Sequence, residues 1–264
     1  MGYEFDGVKA KNDCIKWIRK WFDENGKGCN AVIGISGGKD STIAATLLVE
    51  ALGKDRVYGV VMPNGDNQDE MSFDVLEYLG IKWFTVNIQN AYNSFIDQLK
   101  DCDIEVTEQT KINLAPRLRM SALYAVSQSL NGRVVNTCNY SEDYVGYSTR
   151  YGDSAGDFSP LGDFTVSEVK CIGRALGLPN RFIEKVPSDG LCGKSDEDNL
   201  GFTYDTLDGY IREGVRPEEG VAELIDKKHK NNLFKLKTIP VFRQDVTYDF
   251  GKKITRHILT YEWR

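Results

Sequence analysis

Gly34-Ile35-Ser36-Gly37-Gly38-Lys39-Asp40-Ser41 is the stretch on which the fold turns. Before it stands a short apolar run, Ala31-Val32-Ile33; after it comes Thr42-Ile43-Ala44-Ala45-Thr46-Leu47-Leu48-Val49. The order is buried strand, small-residue turn, then amphipathic helix. Paired glycines permit positive φ and let backbone approach a ligand closely. Unpaired N–H groups at the helix start, with the positive end of the helix dipole, make an anion site. Ser36 and Ser41 add hydroxyls and Lys39 adds a cation. Asp40 is the odd member, because a carboxylate beside a phosphate cradle is reasonable when a divalent metal lies between them. The common nucleotide loop G-x-x-x-x-G-K-[ST] is excluded, since Ile33 and Asp40 stand at two of its fixed positions. G-x-G-x-x-G fails at Ser36.

Working outward, the 264 residues suffice for one domain with a sizeable core. A net charge of −6 argues against nonspecific binding to nucleic acid or to an anionic membrane. The six cysteines, at 14, 29, 102, 138, 171 and 192, show no metal-ligand spacing and read as reduced thiols. With no apolar leader and no run long enough to span a bilayer, a cytoplasmic protein is expected.

Residues 8–24 read as an amphipathic helix, with Trp17 and Trp21 as core or interface. Strands are expected at 31–35, 56–62, 82–87 and 133–138, and helices at 41–52, 69–78, 91–99 and 108–130. The last helix should bury Leu118, Ala122, Ala125 and Val126, and Pro116 should kink it or break its start. Strand–helix alternation predicts an α/β fold: a doubly wound parallel sheet flanked by helices, in a single domain. Ligands of such sheets lie outside the carboxyl ends of the strands, where the opening loop sits. Residues 139–165 carry no periodicity and read as a long functional loop on that same edge. A helix is expected from Thr165 to Leu176, and short ones at 204–212 and 217–228. Residues 188–199 read as a polar flap in which Asp196, Glu197 and Asp198 are solvated, and 243–264 as an extended C-terminal segment.

Ser36-Gly37-Gly38-x-Asp40-Ser41 after a strand resembles the pyrophosphate loop of the ATP pyrophosphatases, the adenine nucleotide alpha-hydrolase-like superfamily. Further motifs follow in order: Asn113-x-x-x-Arg117-x-Arg119-Met120, Thr137-x4-Glu142, and Tyr151-Gly152-Asp153-x3-Asp157-x2-Pro160-Leu161. Together they are similar to ammonia-dependent NAD synthetase over roughly residues 10 to 242. That resemblance implies a homodimeric ligase joining ammonia to nicotinic acid adenine dinucleotide, with ATP consumed through an acyl adenylate. By position it implies ATP binding by Gly34, Ile35, Ser36, Gly37, Gly38, Lys39, Asp40, Ser41, Thr137 and Ser188. It implies Mg²⁺ held by Asp40 and Glu142, and acid substrate held by Arg117, Arg150, Asp157, Phe234 and Lys235. Asp40 and Asp157 would be the catalytic pair.

Three positions depart from the family pattern. Arg150 stands where Lys is usual, Val166 where a phosphate-binding Lys is usual, and Phe234-Lys235 where a His-Lys pair is usual. The charge lost at Val166 would have to come from elsewhere, with Lys39 as one source. No amidase domain accompanies the loop, so free ammonia, or ammonia from another protein, is expected. His229 and His257 read as structural. Two other readings compete: a tRNA-modifying relative, disfavoured by the acidic chain and scattered cysteines, and a nucleotide-binding regulator without turnover.

Overall fold

A computed structural model describes residues 3–66, 69–185 and 195–242. Four parallel strands form the sheet: β1 (Asn30–Gly34), β2 (Val57–Val61), β3 (Lys82–Thr85) and β4 (Gly132–Val134). They lie in the order β3-β2-β1-β4. From β1 the chain winds one way through β2 to β3, then crosses to the other side for β4. The switch point of the sheet therefore falls between β1 and β4, the place where doubly wound sheets open a crevice at their carboxyl edge.

Strand alternation sorts the two faces. Ala31, Ile33 and Ile35 join the main core, together with Val57 and Val61. Over this face pack α1 (Gly7–Asn25), α2 (Lys39–Leu52), α3 (Glu70–Leu79), α7 (Val166–Ala175) and α8 (Asn180–Ile183). Ile18 and Phe22 of α1 and Ile43, Leu47 and Leu48 of α2 are fully buried there. Each buried large side chain contributes about 1.5–3 kcal/mol, so this layer holds most of the fold's stability. Trp21 stacks on Phe158 at 4.4 Å and packs against the core, whereas Trp17 only approaches the same ring at 6.2 Å and stays 43% exposed.

The opposite face is covered by α5 (Glu108–Ser129), with α4 (Gln89–Asp101) beside it. Here the expected burial fails. Leu118, Ala122 and Val126 are only half-buried and Ala125 is exposed. The side chains buried on this helix are Ala115 and Ser127. A single helix cannot cover a four-stranded face, and its apolar stripe stays partly open. Pro116 lies within the helix, which runs on past it.

Three other expectations are corrected. The fourth strand ends at Val134, extended only by a parallel bridge from Val135 to Phe158. Residues 139–165 are not wholly irregular, because α6 (Tyr140–Val145) forms inside them. The helix expected at 217–228 is α11 (Glu219–Leu236), longer by two turns. Short helices α9 (Asp196–Leu200) and α10 (Tyr204–Asp208) precede it, the latter continued by a π-helical turn, Gly209–Glu213. Gly146, at φ +67°, ends α6, and a Cβ there would stand 2.1 Å from Asn232 of α11. Only glycine lets the two helices meet so closely. The extended segment expected at 243–264, and most of the 188–199 flap, lie outside the described residues.

Candidate functional site

The opening loop leaves β1 and enters α2 through Gly38, whose side-chain-free N-cap leaves the first-turn N–H groups available. Gly37 has φ +72°, and a Cβ on it would lie 2.9 Å from the Ser72 nitrogen, so the turn packs tightly against the start of α3. Ser41 Oγ donates to the Gly38 carbonyl at 3.1 Å. Its one proton thus committed, it accepts from Ser36 Oγ, 3.1 Å away. Ser36 Oγ also accepts from Gly38 N at 3.3 Å. The result is a pre-formed cradle with hydroxyls and N–H groups gathered at the end of a helix dipole.

Lys39 and Asp40 turn from the loop toward the crevice. Lys39 is only 2% exposed, and its Nζ lies 2.7 Å from Asp40 Oδ2. Its ammonium also sits 5.8 Å from the Tyr204 ring centroid. Burial lowers the Lys39 pKa, but Asp40 and Glu142 outweigh it and hold the ammonium charged. Asp40 Oδ1 accepts from Asn139 Nδ2 at 3.3 Å. Asn139 in turn caps α6 in a reciprocal box: its side chain accepts from Glu142 N, and Glu142 Oε2 accepts from Asn139 N. One asparagine therefore joins the two carboxylates, and it does so across the β1–β4 switch point.

The Glu142 carboxyl is pushed well above the usual range, chiefly by burial and then by the charge of Asp40. Asp196, expected to be solvated, is buried and adds to this negative field. The Tyr204 hydroxyl is buried above the same cluster without a hydrogen-bond partner among the described residues. Among the described residues, Asp40 and Glu142 share the one ammonium of Lys39, and the Tyr204 hydroxyl is orphaned beside them. Hard oxygen donors of this kind suit Mg²⁺, which is commonly held by one or two carboxylates plus substrate phosphates. No group of three or more acidic, His or Cys side chains is close enough to cage a metal alone among the described residues. Asp40 and Glu142 are the pair whose chemistry fits such an ion, and they would hold it together with oxygens of a bound phosphate.

Thr137 is half-buried just beyond the end of β4, between Asn136 and Asn139, on the same edge as the loop. Ser188 lies outside the described residues. Val166 is buried, its N–H donating to Ser141 Oγ, and carries no charge to the cradle.

A second cluster gathers at the far end of α6. Lys235 Nζ donates to the carbonyls of Gly146 and Ser148 at 2.7 and 3.0 Å, and burial lowers its pKa. Arg150 lies over two rings, 5.0 Å from the Tyr151 centroid and 5.4 Å from that of Phe234. Arg117 Nε donates to the Arg150 carbonyl at 3.4 Å. Arg119 instead turns to the Met62 carbonyl, so the two arginines do face different sides of α5. A cavity of about 200 Å³ opens here, lined in part by Arg150, Tyr151, Ser154, Lys235, Lys237 and Thr238. A broader depression of about 600 Å³ between α3 and α8 is lined in part by Lys185, paired with Asp69, and Glu184, paired with Arg174. It holds none of the residues singled out by the sequence.

Asp157 belongs to neither cluster by direct contact. Its Oδ2 accepts from Val134 N at 2.7 Å and its Oδ1 from the Tyr124 hydroxyl at 3.3 Å, fastening the loop to β4 and α5. Sequence reasoning missed Asn139, Tyr151, Asp196 and Tyr204. An Asn-x-x-Glu spacing marks the cap at Asn139, and Ser195-x-x-Asp198 similarly marks the helix that carries Asp196. His229 is structural, its Nδ1 2.8 Å from the Tyr144 carbonyl and its ring stacked on Tyr144.

Residues 10–246 match the NAD synthase family. An NH(3)-dependent NAD(+) synthetase of Thermococcus sibiricus is 38% identical over 252 residues, 94% of this chain and 93% of that protein. Among solved structures, an NMN synthetase from Francisella tularensis superposes with a TM-score of 0.84 at 31% identity, covering 91% of this chain and all of that one. An NH3-dependent NAD synthetase from Campylobacter jejuni gives 0.74 at 27% identity, with the same coverage. With its loop, its switch-point carboxylates and its relatives in agreement, the chain belongs to the NAD synthase family.

Proposed function

We propose that this protein is a ligase of NAD biosynthesis. It amidates nicotinic acid adenine dinucleotide with ammonia at the expense of ATP, leaving NAD, AMP and pyrophosphate. The observation that carries the reading is the meeting of Asp40 and Glu142, through Asn139, in front of the Ser36–Ser41 cradle. A carboxylate is a poor acyl acceptor, because its charge repels a nucleophile and oxide is not expelled. Its attack on the α-phosphorus of ATP gives a mixed anhydride from which AMP leaves readily. Ammonia then forms the C–N bond, and the anhydride bond to AMP breaks.

In this reading Ser36, Gly37, Gly38 and Ser41 hold the departing pyrophosphate, and Thr137 and Ser188 contact ATP. Asp40 and Glu142 would hold Mg²⁺, which when bound would supply positive charge against the ATP phosphates. Arg117, Arg150 and Lys235 hold the anionic acid substrate, and Phe234 borders it. Asp157, anchored by Val134 N and Tyr124, takes the substrate's ribose hydroxyls or the ammonia proton. Residues 1–264 act as one ATP-pyrophosphatase-type unit. The half-covered face of α5 supports a homodimer. The five cysteines among the described residues are all free, which supports a reducing cytoplasm.

A second reading has a specific observation behind it. The likeness to the mononucleotide synthetase, at 0.84 against 0.74, favours nicotinic acid mononucleotide as an alternative acid substrate. One experiment tests both: purified protein with ATP, Mg²⁺ and ammonia, supplied with either acid, is assayed for pyrophosphate and for the amide product. Dinucleotide-dependent release supports the first reading, and a preference for mononucleotide the second. ATP binding without pyrophosphate release from either acid would overturn the ligase reading.

A further inference from the structure

The cations around the 200 Å³ cavity share a property beyond their proximity. Arg117, Arg150, Lys235 and Lys237 have no carboxylate within ion-pair distance among the described residues. Among the described residues, three cations that line the cavity and Arg117 beside them pair with no carboxylate, a surplus that suits a multiply charged anion. Arg150 among them is held unusually. Its guanidinium lies over the rings of both Tyr151 and Phe234, and one nitrogen donates to the Lys237 carbonyl at 3.4 Å. Tyr151 is one of three non-glycine residues at positive φ among the described residues, +62°, a conformation that L side chains rarely adopt. The strained backbone places its ring on the guanidinium. Both rings are about half exposed, 50% and 54%, so core packing does not explain their position.

We propose that Tyr151 and Phe234 are positioning residues, which fix the Arg150 guanidinium as a flat fork for a phosphate of the acid substrate. This rests on the ligase reading above. A guanidinium held over ring faces keeps its edge donors directed away from them, free to meet two phosphate oxygens. Position along α6 assigns the anion. The reacting carboxyl must lie near Asp40 and Glu142 at the start of this helix, whereas the cation cluster lies beyond its end. Six helical residues rise roughly 9 Å. A group that distance from the reacting carboxyl, in a pyridine nucleotide, is the 5′-phosphate of the nicotinate riboside moiety. Both the mononucleotide and the dinucleotide carry it.

The test is a double-mutant cycle read by KM, kcat and the equilibrium Kd of nicotinic acid mononucleotide measured without ATP. Phe234→Leu is expected to raise KM and Kd for the acid about fivefold, while kcat and the KM for ATP stay unchanged. Phe234→Tyr, which keeps a ring, restores the parent values. In an Arg150→Lys background, Phe234→Leu adds no further loss. The effect should appear with mononucleotide and dinucleotide and vanish with nicotinate riboside, which lacks the phosphate. Equal losses in both backgrounds, an equal loss with the riboside, or a loss confined to kcat would each overturn the proposal. Kd requires no turnover, so a protein that binds the acid without amidating it would defeat the ligase reading while still testing the positioning of Arg150.

Discussion

Asp40 and Glu142 differ in what surrounds them, and the difference predicts how their variants behave. Asp40 is paired with Lys39 and accepts from Asn139, so its charge is compensated before any metal arrives. Asp40→Asn should keep the fold and lower turnover by orders of magnitude, because charge stabilisation by the metal is lost. Steady-state kinetics alongside a thermal melt checks this, and activity within a few-fold of the parent would remove Asp40 from the metal role. Glu142 is buried and repelled by Asp40, so its carboxyl titrates well above the ordinary value. A carboxyl raised in the folded state works against folding when ionised. The metal-free protein therefore gains stability as pH falls through that raised value, until the unfolded chain also takes up its proton. Glu142→Gln should abolish turnover, raise the melting midpoint of the metal-free protein at neutral pH, and flatten its rise toward mild acid. Melts across pH in excess chelator decide it; a midpoint lowered at neutral pH would contradict the assigned strain.

At the scale of the element, α6 is the piece that joins the phosphate cradle to the cation cluster. Its six residues are too few to persist without a cap. Asn139→Ala should cost about 1 kcal/mol by denaturant unfolding, and should also lower activity by releasing Asp40 Oδ1. Asn139→Ser restores the cap but not the reach to Asp40, so it should recover most of the stability and little of the activity. If Ser restores both, the contact with Asp40 has no functional weight. The alternation of strand and helix up to residue 130 was legible, because Gly53 and Gly80 stop helices whose apolar period is clear. Helix α6 was not, because six residues carry no readable period and only the Asn-x-x-Glu spacing betrays it. Asp196 was misread for a related reason. A run of acids looks solvated in sequence, and only tertiary packing reveals that one of them faces a lysine and a second carboxylate. The meeting of Arg150 with Phe234 joins distant segments and had no local signal at all, although each was flagged separately as a departure from the family pattern.

For the whole molecule, the doubly wound order β3-β2-β1-β4 accounts for where the chemistry sits, and the unequal coverage of the two faces predicts how the chain assembles. One face lies under five helices and forms the main core. The other relies on α5 with α4 beside it, and this imbalance explains why the apolar stripe read from the sequence of α5 is not buried. Tyr58 and Phe84 stack on that side with Phe84 42% exposed, while Ile112 of α5 and Phe95 of α4 are 40% and 55% exposed. Exposed apolar groups gathered on one layer mark a contact surface, and a second copy can complete both at once through a twofold, self-complementary interface. The protein should therefore sediment at twice its 29.7 kDa chain mass. Phe95→Glu combined with Ile112→Glu places charges on that surface without touching the core, and should shift the species to monomer with the melting curve still cooperative. Sedimentation equilibrium over a range of concentrations reads the result. A parent that remains monomeric, or a double variant that remains dimeric, would show that this face does not join the subunits.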